Sequence, residues 1–169
     1  MDSIELLLDD VSEQFIRAEW NALLAAGLPS RASHNSPHNR PHITLIAAPV
    51  ITGDRDGELR ERLSLPLMFS CAGLLLFDAG RRGFVLARQV ICSQQLLHLH
   101  QAAHDAGNVD GPVSTSLPGA WVPHITLANS ISTERLPDAL AVLSGSAPQG
   151  SVTGARRWDS RAKTITLLG

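Results

Sequence analysis

Lysine is almost absent from this chain of 169 residues, and no segment concentrates positive charge. The formal net charge is -2 and the isoelectric point is about 6.4, whereas proteins that coat nucleic acids present extensive basic surfaces. We therefore exclude a general nucleic-acid coat protein. A small anionic substrate stays open, because a few local groups can bind one phosphate.

Long hydrophobic runs are missing as well. The N-terminal apolar run Ile4 to Leu8 is interrupted by Glu5 and ends at Asp9, so it is too short for a signal peptide or a membrane span. The only cysteines, Cys71 and Cys92, have apolar surroundings that predict reduced side chains used for packing. We expect a cytoplasmic protein without a membrane segment.

One five-residue phrase occurs twice: Pro-His-Ile-Thr-Leu at residues 41–45 and again at residues 123–127. Chance recurrence of a pentapeptide in such a chain has a probability on the order of one in a hundred. Each copy predicts a strand, because apolar and polar residues alternate after a proline that can only begin a strand or lie at its edge. Isoleucine and leucine would then face the core, and histidine and threonine the opposite side. Two matching copies favour a functional role over two ordinary amphipathic strands.

The hydrophobic periodicity predicts a mixed fold. We predict strands at about residues 4–9, 41–48, 65–70, 73–77, 83–90, 123–129, 151–158 and 163–168, and helices at about 12–26, 57–63, 93–106 and 133–143. The turn from Asp78 to Gly83 favours antiparallel pairing. A loop leads into each motif, at 31–40 and 107–120, and we expect the second to be a mobile lid.

Histidines outside the motifs invite a metal hypothesis. His98, His100 and His104 lie on one predicted helix, but only His100 and His104 share a face, and no glutamate lies between them as in metalloproteases. We therefore expect a solvated helix face and no metal site. In the first loop, His34 and His38 could contact a ligand, although exposed loop histidines usually have no specific role.

Two imidazoles at one cleft can move protons in both directions. Near neutral pH, a neutral histidine accepts a proton from the attacking group, and a protonated histidine delivers one to the leaving oxygen. Each threonine hydroxyl can donate to an oxygen of the reacting centre. This set suits phosphoryl transfer without a metal, because it lacks the carboxylates that hold magnesium and the chain has no Walker-type loop. No Gly-x-Ser-x-Gly motif supports a serine nucleophile, and neither cysteine adjoins a basic cluster.

The segments at 41–45 and 121–127 resemble the paired His-x-Thr/Ser-x signatures of the two-histidine (2H) phosphoesterases, in particular the LigT-like (bacterial 2'-5' RNA ligase-like) RNA 2',3'-cyclic phosphodiesterases. The resemblance covers nearly the whole chain. It implies a two-lobed α+β fold, with antiparallel sheets around a central cleft and helices outside. Residues 1–169 would then form a single domain of two pseudo-symmetric lobes.

The resemblance also implies roles for the four motif residues. His42 and His124 become the catalytic pair, and Thr44 and Thr126 the donors to phosphate oxygens. The implied reaction is cofactor-free hydrolysis of a 2',3'-cyclic phosphate, on a nucleotide or an RNA end, to a 2'-phosphate, with reverse 2'-5' ligation as a further activity. In relatives the second histidine activates water and the first protonates the leaving 3'-oxygen. We expect a monomer that binds nucleotide or RNA ends and has no protein partner.

Ala128 and Asn129 follow the second motif where some relatives carry a basic residue. A cation for a neighbouring phosphate must then come from elsewhere. Arg40, close to the first motif, is the first candidate, and Arg82 and Arg156 are alternatives.

Aromatic residues are candidates for stacking on a base. Trp121 precedes the second motif closely enough to contact a ligand, and stacking contributes about 1 to 3 kcal/mol per base. Burial in the core is the competing role for this tryptophan. For Phe77 and Trp158 we expect core packing.

Two other functions stay open. One is hydrolysis of a different small cyclic phosphate, such as an ADP-ribose cyclic phosphate. The other is a nucleotide-binding module that has kept the cleft. The presence of all four motif residues argues against the module, because binding alone does not require two proton-transfer groups.

Overall fold

The structure, a computed structural model, describes residues 1–107, 109–143, 145–146 and 148–169, which contain seven antiparallel strands, four α-helices and five short 3-10 turns. The strands are β1 (Asp2–Leu8), β2 (His42–Ala48), β3 (Leu67–Asp78), β4 (Phe84–Val90), β5 (His124–Ile131), β6 (Gln149–Asp159) and β7 (Thr164–Leu167). The helices are α1 (Asp10–Ala25), α2 (Asp56–Arg62), α3 (Gln94–Gly107) and α4 (Leu136–Val142). The predicted α+β class with antiparallel pairing is confirmed. None of these helices is long and apolar enough to cross a membrane.

β3 joins the two halves of the sheet. The strand order is β2-β1-β6-β3-β4-β5, with β7 paired to β6. The first part of β3 pairs with β6 and the second part with β4, and the register shifts between Cys71 and Leu74. The sequence predicted two strands here, separated by a turn. The chain instead stays extended, because an irregularity of the ladder lets one strand change partners without reversing direction.

The sheet curves until its two edges meet. β2 and β5 stand at opposite ends of the strand order, yet they contact one another. Trp121, just before β5, donates its indole N–H to the carbonyl oxygen of Thr44 in β2 at 2.9 Å. Both motif strands are therefore edge strands that lie together.

Burial fixes the phase of both motif strands. Ile43, Leu45, Ile125 and Leu127 are all fully buried, while the histidines and threonines between them keep partial exposure. Burying one such apolar side chain contributes about 1.5 to 3 kcal/mol, and a slip of one residue would reverse every side chain. The predicted alternation of faces is confirmed.

The two cysteines have different environments. Cys71 is buried, and burial raises the pKa of its thiol to about 12, so this side chain is an unreactive packing residue. Cys92 is exposed in the connection between β4 and α3. The expectation that it packs is wrong, because the strand ends at Val90 and the helix cap Ser93 immediately follows, with its hydroxyl accepting the N–H of Leu96.

Candidate active site

Each motif strand holds its histidine ring in the same way. Nδ1 of His42 lies 2.7 Å from the carbonyl oxygen of Arg40, and Nδ1 of His124 lies 2.8 Å from that of Val122. Because a carbonyl oxygen only accepts, Nδ1 carries a hydrogen in both rings. Nε2 is therefore the nitrogen that can exchange a proton with a ligand.

Glu5, on the neighbouring strand β1, gives His42 a distinct environment. Its Oε1 lies 3.6 Å from Nε2 of His42. The carboxylate also accepts from the hydroxyl of Ser3 at 2.6 Å and from Nε of Arg156 at 2.7 Å. Burial raises the pKa of Glu5, but the charges of His42 and Arg156 and the two hydrogen bonds outweigh burial and lower it overall. The ionised carboxylate therefore places a negative charge beside Nε2 of His42.

His124 has an aromatic neighbour instead. Its ring lies against Phe77, with the ring centroids 4.7 Å apart. Burial lowers the pKa of His124, and positive charge on His42 lowers it further, against the opposing effect of the Val122 carbonyl. His124 therefore favours the neutral form, in which Nε2 is a free proton acceptor.

Indole groups close the outer edge of both motif strands. The Thr44 carbonyl accepts the N–H of Trp121 at 2.9 Å, and the Thr126 carbonyl accepts the N–H of Trp20 at 3.0 Å. An edge strand presents unpaired carbonyl groups, and the two indole hydrogen bonds pair one such carbonyl group in each motif strand. The threonine positions are thereby fixed from the backbone side.

The motif residues open onto two cavities. The arginine cavity, of about 120 Å³, is lined by Glu5, Arg31, His38, Arg40, His42 and Trp158, among others. The aromatic cavity, of about 470 Å³, is lined by Thr44, Phe77, Val85, Ser116, Trp121 and His124, among others. The structure thus assigns His42 to one cavity, and Thr44 and His124 to the other. Thr126 shares the strand face of His124 but lines neither of these two cavities.

Arg40 is already engaged. Its guanidinium donates to Glu13 through Nε at 2.9 Å and through a terminal nitrogen at 2.5 Å. Arg156 is buried and donates to Glu5 through Nε, while Arg82 lies in the exposed turn before β4. A phosphate contact by Arg40 stays a prediction, and it would require the arginine to share or leave Glu13.

Trp121 has a structural task beside any contact with a ligand. One face of its ring stacks on His100, with centroids 4.0 Å apart and planes inclined by 3°, and its N–H is bound to Thr44. The side chain also lines the aromatic cavity. Base stacking by Trp121 stays a prediction.

Phe77 and Trp158 are not in the core. Both are partly exposed, and each lines one of the two cavities. The expectation of core packing is wrong because strand alternation puts them on the ligand-side face. The register pairs Trp158 with Ser3, and Phe77 contacts the ring of His124 directly.

The helix histidines fasten a loop to the helix. Nε2 of His100 and Nε2 of His104 both donate to the Ser116 carbonyl, at 2.9 and 2.6 Å. His100 is only 2% exposed, and burial lowers its pKa to about 4. The expected solvated face is wrong for this pair, because the face packs against the loop. Among the described residues, no group of three or more His, Cys, Asp or Glu side chains could hold a metal ion.

The same loop is also bonded to β2. The Val113 N–H donates to the Ala47 carbonyl at 2.8 Å, and the Ser116 hydroxyl donates to the Val113 carbonyl at 2.9 Å. These bonds favour a fixed wall of the aromatic cavity over the mobile lid expected at 107–120. Asn108, within that range, lies outside the described residues.

Two functional candidates escaped the sequence reasoning, Glu5 and Arg31. Glu5 left a signal, because it is the single charged residue in the otherwise apolar run Ile4 to Leu8. Arg31 left none, because it lies in a polar loop where a charge is ordinary.

The chain is thus an α+β protein with two histidines in its candidate site. Each histidine lies on a His-x-Thr strand face, and the two strands are edges of one curved antiparallel sheet that lie together. The family model of the 2'-5' RNA ligase superfamily matches residues 9–158. The chain therefore belongs to the 2'-5' RNA ligase superfamily, the LigT-like group of 2H phosphoesterases. No curated protein matches the chain.

Solved structures share the fold at low identity. Usb1 of Kluyveromyces marxianus is 14% identical, with a TM-score of 0.54 over 99% of this chain and 96% of that one. The same protein with uridine monophosphate is 12% identical, with a TM-score of 0.53 and the same coverage. The protein TT0787 of Thermus thermophilus is 16% identical, with a TM-score of 0.52 over 99% of this chain and 94% of that one.

Proposed function

We propose that this protein is a metal-independent phosphodiesterase that opens the 2',3'-cyclic phosphate of a nucleotide or RNA end to a 2'-phosphate. The observation that carries the proposal is the contrast between two histidines held alike. One has a buried carboxylate at Nε2, and the other lies against an aromatic ring. Family membership supports phosphoester chemistry. The similar structure solved with uridine monophosphate supports a nucleotide ligand.

The environments assign the two proton transfers. Nε2 of neutral His124 accepts a proton from water as the water oxygen forms a bond to phosphorus. The bond between phosphorus and the 3'-oxygen breaks, and protonated His42 gives its Nε2 proton to that oxygen. The product is a 2'-phosphate with a free 3'-hydroxyl. Exchange of protons with solvent then restores both histidines.

The threonine hydroxyls would act on the phosphate itself. Thr44 and Thr126 lie two residues beyond the histidines on the same strand faces. Each can donate to a non-bridging oxygen and stabilise the charge that grows there in the transition state. No metal is needed for this step.

Ligation would use the same machinery with a different nucleophile. A 5'-hydroxyl would replace water at His124, and the product would be a 2'-5' phosphodiester. The aromatic cavity beside His124 has a volume of about 470 Å³, which is in the range of small-molecule sites. The nucleoside that carries the 5'-hydroxyl would bind there.

A substrate screen with EDTA present tests the proposal. The panel contains nucleoside 2',3'-cyclic phosphates, 3',5'-cyclic nucleotides, 2'-5' linked dinucleotides and an ADP-ribose cyclic phosphate, and chromatography identifies the phosphate position in each product. We expect the wild-type protein to convert the 2',3'-cyclic phosphates to 2'-phosphates. In His124→Ala the rate of this reaction should fall by a factor of about 10² to 10⁴. Nucleotide binding without any turnover by the wild-type protein would instead establish the binding module.

A further inference from the structure

Arg31 places a cation on the wall of the arginine cavity. Its terminal nitrogen donates to the side-chain oxygen of Asn39 at 3.1 Å, and Asn39 in turn donates to the Arg31 carbonyl at 2.8 Å. Among the described residues, no carboxylate forms an ion pair with it. The other two guanidinium groups of this cavity, on Arg40 and Arg156, are each bound to a glutamate. Arg31 is thus held in place by a neutral amide and not by the carboxylate of an ion pair.

The desolvation of Arg31 makes an anion favourable in this cavity. Burial lowers the pKa of the Arg31 guanidinium, and the more distant charge of Glu5 offsets this only in part. A partly buried cation keeps a free-energy cost until an opposite charge compensates it. Guanidinium groups match the geometry of phosphate oxygens particularly well.

The position of His42 relates this cavity to the reaction. His42 lines the arginine cavity together with Arg31. If His42 protonates the leaving 3'-oxygen, the ribose that carries the cyclic phosphate lies on this side of the site. The 5'-carbon of that ribose carries a phosphate in every RNA end and none in a simple nucleoside cyclic phosphate.

Part of the cavity lining is aromatic. His38 lies against Trp158, with ring centroids 5.8 Å apart, and both rings line the cavity. Aromatic surfaces beside a guanidinium suit a nucleotide better than a free inorganic anion.

We propose that the arginine cavity is a subsite for the 5'-phosphate of the nucleotide whose cyclic phosphate is opened, with Arg31 as its main cation. This inference rests on the proposed function and names its substrate class. Cyclic phosphates at RNA ends, or on nucleotides with a 5'-phosphate, are preferred over nucleoside cyclic phosphates that lack one.

The test uses two substrates that differ by one phosphate: adenosine 2',3'-cyclic phosphate with and without a 5'-phosphate. We expect kcat/KM of the wild-type protein to be at least about tenfold higher with the 5'-phosphate, because charge-assisted hydrogen bonds from Arg31 to this phosphate would stabilise the complex. In Arg31→Gln this ratio falls to near one, and Arg31→Lys keeps part of it because the charge remains. Arg55→Gln is the control, since Arg55 pairs with Glu58 in an exposed helical segment, and it keeps the wild-type ratio.

Binding measurements separate this inference from the proposed function. Calorimetry compares adenosine 2',5'-bisphosphate with adenosine 2'-phosphate, the two matching products, and needs no turnover. Tighter binding of the bisphosphate that depends on Arg31 supports the subsite even if neither substrate is hydrolysed, a result that would overturn the proposed function alone. Equal kcat/KM for the two substrates and equal binding of the two products would overturn the subsite. So would a wild-type ratio in a folded Arg31→Gln.

Discussion

The replacement Glu5→Gln tests the division of roles between the two histidines. It removes the negative charge next to Nε2 of His42 and keeps an oxygen that can accept from Ser3 and Arg156. Without this charge, the positive charge that His42 carries in the proposed mechanism loses its nearest opposite charge. The value of kcat/KM should therefore fall.

The distance sets the size of this effect. Two unit charges at the 3.6 Å that separate Oε1 of Glu5 and Nε2 of His42 attract by about 1 kcal/mol in water and by about 5 kcal/mol at an effective dielectric constant of 20. Arg156 on the same carboxylate offsets part of this attraction. A factor of ten in rate corresponds to about 1.4 kcal/mol, so we expect kcat/KM to fall by about 10- to 100-fold.

Glu19→Gln is the matched control. Glu19 forms an equally buried pair with Arg88, so both replacements weaken a buried carboxylate–arginine pair and should lower the melting temperature. Glu19 is not an ion-pair partner of either motif histidine among the described contacts. The assay is kcat/KM for one cyclic nucleotide at neutral pH. A wild-type kcat/KM in folded Glu5→Gln, or an equal fall in Glu19→Gln, would refute the reasoning.

Four further outcomes follow from the same geometry. His42→Ala and His124→Ala should each lower the rate by about 10² to 10⁴, and the double variant should be scarcely slower than the worse single one in the same assay. The proposed mechanism needs a neutral His124, and burial lowers the pKa of this group. A profile of rate against pH should therefore fall on its acid side only at a pH below the ordinary pKa of histidine. Thr44→Val and Thr126→Val should cost up to about 10² to 10³ in kcat, and a wild-type kcat would contradict their role. Activity should be equal with and without EDTA, and strict dependence on an added divalent ion would contradict the mechanism.

The local features of this fold were predictable because they depend on local patterns. Alternation placed the apolar residues of both motifs inside, and periodicity predicted the helices found at Asp10–Ala25 and Gln94–Gly107 to within two residues. The turn before β4 predicted antiparallel pairing correctly. Each of these features is decided by side chains close in sequence.

Features that depend on strand partners were not predictable. β3 reads as two strands because a turn signal interrupts it, and pairing with both β6 and β4 overrides that signal. The contact between Glu5 and His42 depends on the register of β1 against β2. The stacking of Trp121 on His100 depends on a loop that returns to helix α3. A single sequence contains no record of these long-range pairings.

The repeated motif is symmetric, and its neighbours supply the asymmetry that acid–base catalysis requires. In the first half of the sheet, the register pairs Thr44 with Glu5. At the equivalent place in the second half, Thr126 is paired with Ala87. One histidine therefore lies beside a buried negative charge and the other against an aromatic ring, although their own strands hold the two rings identically. In the proposed mechanism, strand β1, which carries Glu5, and strand β3, which carries Phe77, determine which histidine gives a proton and which accepts one.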